Sequence, residues 1–193
     1  NDLSNCFDWK STLVDIEQRP ATPRTFWGYI SSNGLGYHEY LLMCKDMKAE
    51  PMFVINCGMS HSEIEPMATM DRYVQDALDA IEYANGPVTS PMGALRAKNG
   101  HPESFNLKYI EIGNENGYTW AFGGQAPYYE RFALINKAIK ARYPEIITIS
   151  NVPVPQPGDL TSEHYYDAPN WFWRNKDRYD TYDRAGQRVY VGE

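Results

Sequence analysis

The sequence predicts an α/β chain whose strands belong to a (β/α)8 barrel of the TIM type, present as an incomplete portion. Three observations carry this. Short apolar runs alternate with amphipathic runs of helical period, which implies parallel strands joined by right-handed crossovers. Polar residues gather just past the apolar runs, at Asn56, Asn114, Glu115, Asn151, His164 and Glu193, where α/β proteins build their sites. No GxGxxG or GxxxxGK[ST] follows any strand, which disfavours a nucleotide-binding open sheet. Strands are expected at 51–56, 107–113, 146–152, 162–166 and 188–192. That is about three strands short of a closed barrel, and 193 residues fall short of the roughly 250 such a barrel uses.

Taken in order, residues 36–49 place Tyr37, Tyr40, Leu41, Cys44 and Met47 on one helical face. Residues 51–56 are an apolar run closed by Asn56, the pattern of a buried strand. Residues 67–85 repeat Met70, Tyr73, Val74, Ala77, Leu78 and Ile81 at helical spacing, and Asn85-Gly86-Pro87 stops the helix. A loop of about 20 residues is expected next, with Pro87, Pro91, Gly93, Gly100 and Pro102, and loops of that length tend to be functional. Leu107 to Ile112 is a strand that runs into Gly113-Asn114-Glu115-Asn116-Gly117. Residues 127–143 form a helix through Tyr128, Phe132, Ile135 and Ile139 that ends before Pro144. Ile146 to Val152 is a strand, followed by a loop with Pro153, Pro155, Pro157 and Gly158. His164 to Tyr166 end a short strand, Trp171-Phe172-Trp173 open a helix or aromatic loop, and Arg188 to Val191 form the last strand before Gly192-Glu193.

Composition narrows the function. Charged residues make up 22% and hydrophobic residues 42%, as in ordinary globular proteins. A net charge of −7 without a Lys/Arg run argues against nucleic acid and anionic membrane partners. No stretch approaches about 18 apolar residues. Cys6, Cys44 and Cys57 are odd in number and widely spaced, and read as buried free thiols rather than a disulfide framework. The chain starts Asn1-Asp2-Leu3-Ser4, so its compartment is not readable: secreted, periplasmic and cytoplasmic locations all stay open. Aromatic residues at 14% favour a cleft that stacks on flat ligands. His61 with Glu63 and Glu65 suits no standard zinc spacing and reads as a solvated loop, so no metal or other cofactor is expected. Trp120, Phe122, Trp171 and Trp173 read equally as sugar-stacking walls or as packing, Trp27 as core, and Arg96 as a structural ion-pair partner or, alternatively, a substrate-side residue.

Glu115 and Glu193 carry the chemistry. Each follows an apolar strand, behind Gly113-Asn114 and Gly192 respectively. Two carboxyls converging across one end of a barrel are what glycoside hydrolysis requires. One protonates the leaving oxygen, and the other, ionised, attacks the anomeric carbon or activates water.

The segment Leu107 to Glu115 resembles the acid/base strand of clan A glycoside hydrolases. More narrowly, the chain resembles α-L-arabinofuranosidases of glycoside hydrolase family 51. Residues 26–41 (FWGYISSNGLGYHEYL), 53–61 (FVINCGMSH), 95–116 (LRAKNGHPESFNLKYIEIGNEN), 142–151 (RYPEIITISN) and 188–193 (RVYVGE) carry the likeness. It implies a retaining exo-acting hydrolase of terminal α-L-arabinofuranosyl residues that needs no cofactor. Glu115 would be the general acid/base after the fourth barrel strand, and Glu193 the nucleophile after the seventh. Asn114 would bind the sugar hydroxyl beside the reacting carbon. His164 and Tyr166 would lie near the carboxyls, Tyr166 orienting the nucleophile. Asn56 and Trp120 would contact the sugar. Residues 1–193 would then be about strands 3 to 7 of the catalytic barrel, with the first strands, the eighth strand and a C-terminal β-sandwich outside this sequence. The expected partner is an arabinose-containing carbohydrate, and self-association of the chain is left open. Two rivals remain at this point: another clan A glycosidase, of β-xylosidase or endoglucanase type, and a non-catalytic carbohydrate-binding barrel.

Overall fold

The computed structural model describes residues 8–24, 28–60, 63–118 and 124–193. A two-stranded antiparallel hairpin comes first, β1 (Thr22–Arg24) and β2 (Tyr29–Ser31). The sequence reading did not anticipate it, because strands of three residues carry no measurable alternation. Helix α1 (Tyr37–Met47) begins at Gly36, whose amide donates to the Glu39 carboxylate at 2.8 Å. The other contacts of Glu39 are a two-point ion pair with Arg19, at 2.7 and 2.9 Å. The helix ends where Lys48 turns into the left-handed region at φ 56.

Then follow β3 (Met52–Ile55), α2 (Met70–Asn85), α3 (Pro91–Lys98), β4 (Tyr109–Ile112), α4 (Gln125–Arg142), β5 (Ile147–Ser150), β6 (Leu160–Glu163), α5 (Pro169–Arg174) and β7 (Arg188–Val191). Strands β3 to β7 form one parallel sheet in strictly sequential order. A doubly wound sheet would reverse its order at a switch point. Sequential order with crossover helices is the arrangement of a partial (β/α)8 barrel.

The register assigns the two faces. Ile55, Ile112, Ser150 and Thr161 align across the sheet, as do Val54, Glu111, Ile149 and Leu160. Residues aligned in a parallel register share a face, and neighbours along a strand alternate. The face with Ile55, Ile110 and Ile112 packs on Ala77 and Ile81 of α2 and on Phe132, Ile135 and Ile139 of α4, all fully buried. Each of these isoleucine and phenylalanine side chains stabilises the fold by about 1.5–3 kcal/mol. The opposite face holds Glu111.

Three expectations need correction. The expected long loop after α2 contains α3, which starts at Ser90: its hydroxyl accepts from the Gly93 amide at 3.2 Å, with Pro91 in the first turn. Strand β6 occupies 160–163 rather than 162–166, which leaves His164 and Tyr166 beyond its end. Among the described residues Arg96 forms no ion pair with a side chain; it is buried and donates to the carbonyls of Tyr83, Gly86, His101 and Pro102 at 2.7–3.0 Å. That fan of bonds fastens the end of α2 to α3 and the segment after it, far from a substrate-side role.

Cys57 is buried and Cys44 half-buried, both as free thiols, while Cys6 lies outside the described residues. Trp27, His61, Trp120 and Phe122 also lie outside them. Among the described residues no helix is long and apolar enough to cross a membrane.

Candidate active site

The turn after β4 places Glu115. Gly113 has φ 78 and Glu115 φ 58, both in the left-handed region. For Glu115 that conformation carries a steric cost that the surroundings must hold in place. Gly113 is needed for space as well, since a Cβ there would stand 2.7 Å from Asn116 Oδ1 and 2.8 Å from Cys57 Sγ.

The turn is fastened to three neighbouring strands. Buried Asn116 accepts from the Asn114 amide at 2.9 Å and from Cys57 Sγ at 3.3 Å, and donates to the Met59 carbonyl at 3.4 Å, which ties it to the segment after β3. The Gly117 amide donates to Asn151 Oδ1 at 2.9 Å, beyond β5. The Tyr118 hydroxyl accepts from the His164 amide at 3.2 Å, beyond β6. Beneath the turn, the Tyr128 hydroxyl donates to the Ile112 carbonyl at 2.8 Å and accepts from the Asn151 amide at 2.9 Å. Burial holds that phenol well above its ordinary pKa, so it stays protonated and keeps both bonds.

Glu193 is placed by two backbone bonds that extend the β6–β7 ladder. Gly192 N donates to the Glu163 carbonyl at 3.1 Å, and Tyr165 N to the Glu193 carbonyl at 2.9 Å. His164 is thereby held between the two carboxylates. Its Nδ1 lies 3.0 Å from Glu115 Oε1 and 3.4 Å from Glu193 Oε1. The Tyr166 hydroxyl donates to Glu193 Oε2, and that bond pushes the phenol up to about 12. The Glu163 carboxylate, on β6 itself, accepts from the hydroxyls of Tyr165 and Tyr179 and from Arg178, so the segment after β6 is anchored to the strand end.

Four of the expected residues therefore meet: Glu115, His164, Tyr166 and Glu193. Potential ligand atoms of Glu115, His164 and Glu193 all lie within 4.8 Å of one another, a set whose chemistry also suits a divalent cation. Asn114 is half-buried directly before Glu115. Asn56 is half-buried after β3, and its Oδ1 accepts from the Gly58 amide at 2.7 Å, so its carbonyl serves the local turn. Trp120 falls outside the described residues. Trp171 packs against Tyr165 with ring centroids 5.1 Å apart, whereas Trp173 is 74% exposed.

Two residues near the site escaped the sequence reading. Tyr118 gave no periodic signal. Glu111 did give one, a carboxyl between two isoleucines in an apolar strand. It is 3% exposed, and burial pushes it up to about 7.

Comparison with known proteins adds a family. The model of the alpha-L-arabinofuranosidase 1 domain matches residues 1–184. An extracellular exo-alpha-L-arabinofuranosidase of Streptomyces chartreusis is 40% identical, over 97% of this chain and 24% of that protein. Alpha-L-arabinofuranosidase 1 of Arabidopsis thaliana is 37% identical, over 99% of this chain and 28% of that protein. Among solved structures, an arabinose-bound GH51 α-L-arabinofuranosidase aligns with a TM-score of 0.87 at 31% identity, covering 98% of this chain and 30% of that one. The chain thus spans about a quarter of the length of these curated relatives.

Proposed function

The chain belongs to the alpha-L-arabinofuranosidase 1 domain family, and on that footing we propose that it supplies both catalytic carboxyls of a retaining, exo-acting α-L-arabinofuranosidase. One observation carries the proposal: oxygens of Glu115 and Glu193 lie within 4.8 Å of one another, with His164 Nδ1 in hydrogen-bond range of the first and 3.4 Å from the second. Retaining glycosidases hold their carboxyls about 5–5.5 Å apart, and inverting ones about 6.5–9.5 Å apart to admit a water. A closest oxygen approach of this size fits the shorter spacing, and with it a direct nucleophile.

In the first step Glu193 attacks the anomeric carbon of a terminal arabinofuranosyl unit. The bond to the leaving oxygen breaks as Glu115 gives that oxygen its proton. In the second, Glu115 takes a proton from water, which attacks the same carbon and releases Glu193. Tyr166 suits a nucleophile that must stay ionised, donating to one of its oxygens, while His164 Nδ1, bonded to Glu115, stands 3.4 Å from the other. Asn114, half-buried directly before Glu115, would hold the sugar hydroxyl next to the reacting carbon. Asn56 and Trp120 are weaker candidates for sugar contacts. On this reading β3 to β7 are strands 3 to 7 of the catalytic barrel, Glu115 follows the fourth, and the substrate is an arabinose-containing oligo- or polysaccharide.

The test is the configuration of the first-formed product, followed by NMR on the intact polypeptide with an aryl α-L-arabinofuranoside. Release of the α-anomer supports double displacement. Release of the β-anomer first rejects Glu193 as nucleophile. A panel of aryl glycosides separates this reading from a β-xylosidase, an endoglucanase or a non-catalytic sugar binder.

A further inference from the structure

Glu163 closes β6, opposite Val191 of β7. Its carbonyl accepts from the Gly192 amide at 3.1 Å, and Tyr165, two residues on, donates its amide to the Glu193 carbonyl at 2.9 Å. These two bonds straddle His164 and carry the ladder out to Glu193. The side chains of the same two residues meet as well. The Tyr165 hydroxyl donates to Glu163 Oε2, which also accepts from the Tyr179 hydroxyl at 2.9 Å and from Arg178 Nε at 3.3 Å. The hydroxyls of Tyr165 and Tyr179 are themselves 2.9 Å apart. The Arg178 guanidinium lies 5.3 Å from the centre of the Tyr165 ring, and Trp171 packs on that ring at 5.1 Å. His164, between the two in sequence, turns instead to Glu115 and Glu193. The Glu163 side chain is only 15% exposed, and a carboxylate so far withdrawn from water needs donors. Two of its three donors could come from any neighbouring segment. The third closes a ring through the backbone of His164, and charge-assisted bonds fix direction as well as distance. The backbone that holds Glu193 therefore takes its course from this carboxylate, which the two-carboxyl reaction itself does not use.

We propose, on the basis of the reaction assigned above, that Glu163 is a positioning residue: by clamping Tyr165 it sets where Glu193, and the Tyr166 hydroxyl bonded to it, stand relative to the anomeric carbon. Tyr165 is the link. Its hydroxyl is held by Glu163, its amide holds the Glu193 carbonyl, and the next residue supplies the donor to Glu193 Oε2. Without the clamp the two backbone bonds at Gly192 and Glu193 lose their support from the β6 side. Glu193 then spends less time at attacking distance, and a misplacement of about 1 Å costs on the order of 10²-fold in rate. The turn that carries Glu115 is fastened separately, through Asn116 and Asn151, so the damage should fall on the nucleophile and spare the acid.

Two measurements on the intact polypeptide decide the matter. The first is kinetic, on Glu163→Gln and on Tyr165→Phe, which loses the clamped hydroxyl but keeps the ring against Trp171. In each, kcat should fall roughly 10- to 100-fold while KM is kept. The loss in kcat/KM should be alike for para-nitrophenyl and alkyl α-L-arabinofuranosides, because Glu193 must attack whatever group leaves, whereas a damaged acid weighs on the poor leaving group. The double variant should lose less than the product of the two single losses, since both act through one bond. Unchanged kcat with only a lower melting point, a loss confined to the alkyl substrate, or losses that simply multiply each overturn the proposal. The second measurement needs no substrate: amide hydrogen exchange in Glu163→Gln, read on peptides spanning 160–168 and 188–193. Exchange there should quicken roughly 10-fold or more while peptides of β4 and β5 keep their protection. Equal protection at both strand ends in the variant and the unmodified protein overturns the proposal. An unmodified protein without arabinofuranosidase activity would instead refute the reaction assigned above, leaving the exchange comparison to judge whether Glu163 holds Glu193 in place.

Discussion

The turn that carries Glu115 and the strand end that carries Glu193 hold their carboxyls by different means. The first is enclosed: Asn116 is buried, and the Met59 carbonyl beyond β3, the Asn151 side chain beyond β5 and the His164 amide beyond β6 are bonded to the turn. The second relies on two backbone bonds and on Tyr166, a residue 78% exposed. His164 is in range of both. A general acid must meet a proton acceptor at a fixed angle in both steps, which favours a rigid mount. A nucleophile that forms and breaks a bond to carbon shifts during the reaction, and a lighter mount permits that. The comparison predicts that damage to the Glu115 turn appears in stability, and damage around Glu193 in rate.

The largest effects should come from the carboxyls themselves. Glu193→Ala should lower kcat on the order of 10⁴-fold or more with the melting point nearly unchanged, because the bond-forming oxygen is removed from a lightly packed site. Full activity in that variant would remove Glu193 from the mechanism. Glu115→Ala should cost about 10²- to 10⁴-fold on natural substrates and much less on aryl glycosides, whose leaving groups need little protonation. Equal losses on both would argue against the acid role.

Much of this was legible in the residues. A glutamate just past an apolar strand, behind Gly113-Asn114 in one case and Gly192 in the other, marked both Glu115 and Glu193, and β3, β4, β5 and β7 stood out as apolar runs. Strand β6 was harder to place, because Leu160-Thr161-Ser162-Glu163 has three polar residues. Helix α3 hid behind its glycines and prolines, although Ser90-Pro91 is a start signal. What no sequence pattern could show is the set of cross-strand bonds, such as Gly117 to Asn151 and Tyr118 to His164, since each joins residues distant along the chain.

Glu111, buried in the middle of β4, gives a pH-dependent test of stability. In an unfolded chain its carboxyl ionises near 4.5, and in the folded protein near 7. Between those values the folded state binds a proton that the unfolded state has lost, so stability falls as pH rises through this window. The total loss is on the order of 3 kcal/mol. Glu111→Gln should therefore gain stability over the unmodified protein as pH rises from 4.5 to 7, read from urea midpoints at the two ends of the window. A constant difference across the window would mean that Glu111 ionises alike in both states.

The smallest effects separate the two mounts most cleanly. Tyr166→Phe keeps the ring and loses the donor to Glu193 Oε2. It should lower kcat roughly 10- to 100-fold, as for one charge-assisted bond, and leave the melting point in place, because an exposed ring stabilises little. Asn116→Ala should do the reverse. It strips partners from the Asn114 amide, Cys57 Sγ and the Met59 carbonyl at once, in a buried turn already in the left-handed region at Gly113 and Glu115. About 1–3 kcal/mol of stability should be lost, and the activity of the molecules that remain folded should fall less than in Tyr166→Phe. If instead both variants lose rate and stability together, the two mounts are one cooperative unit, and His164, in range of both carboxylates, is the residue through which they would be joined.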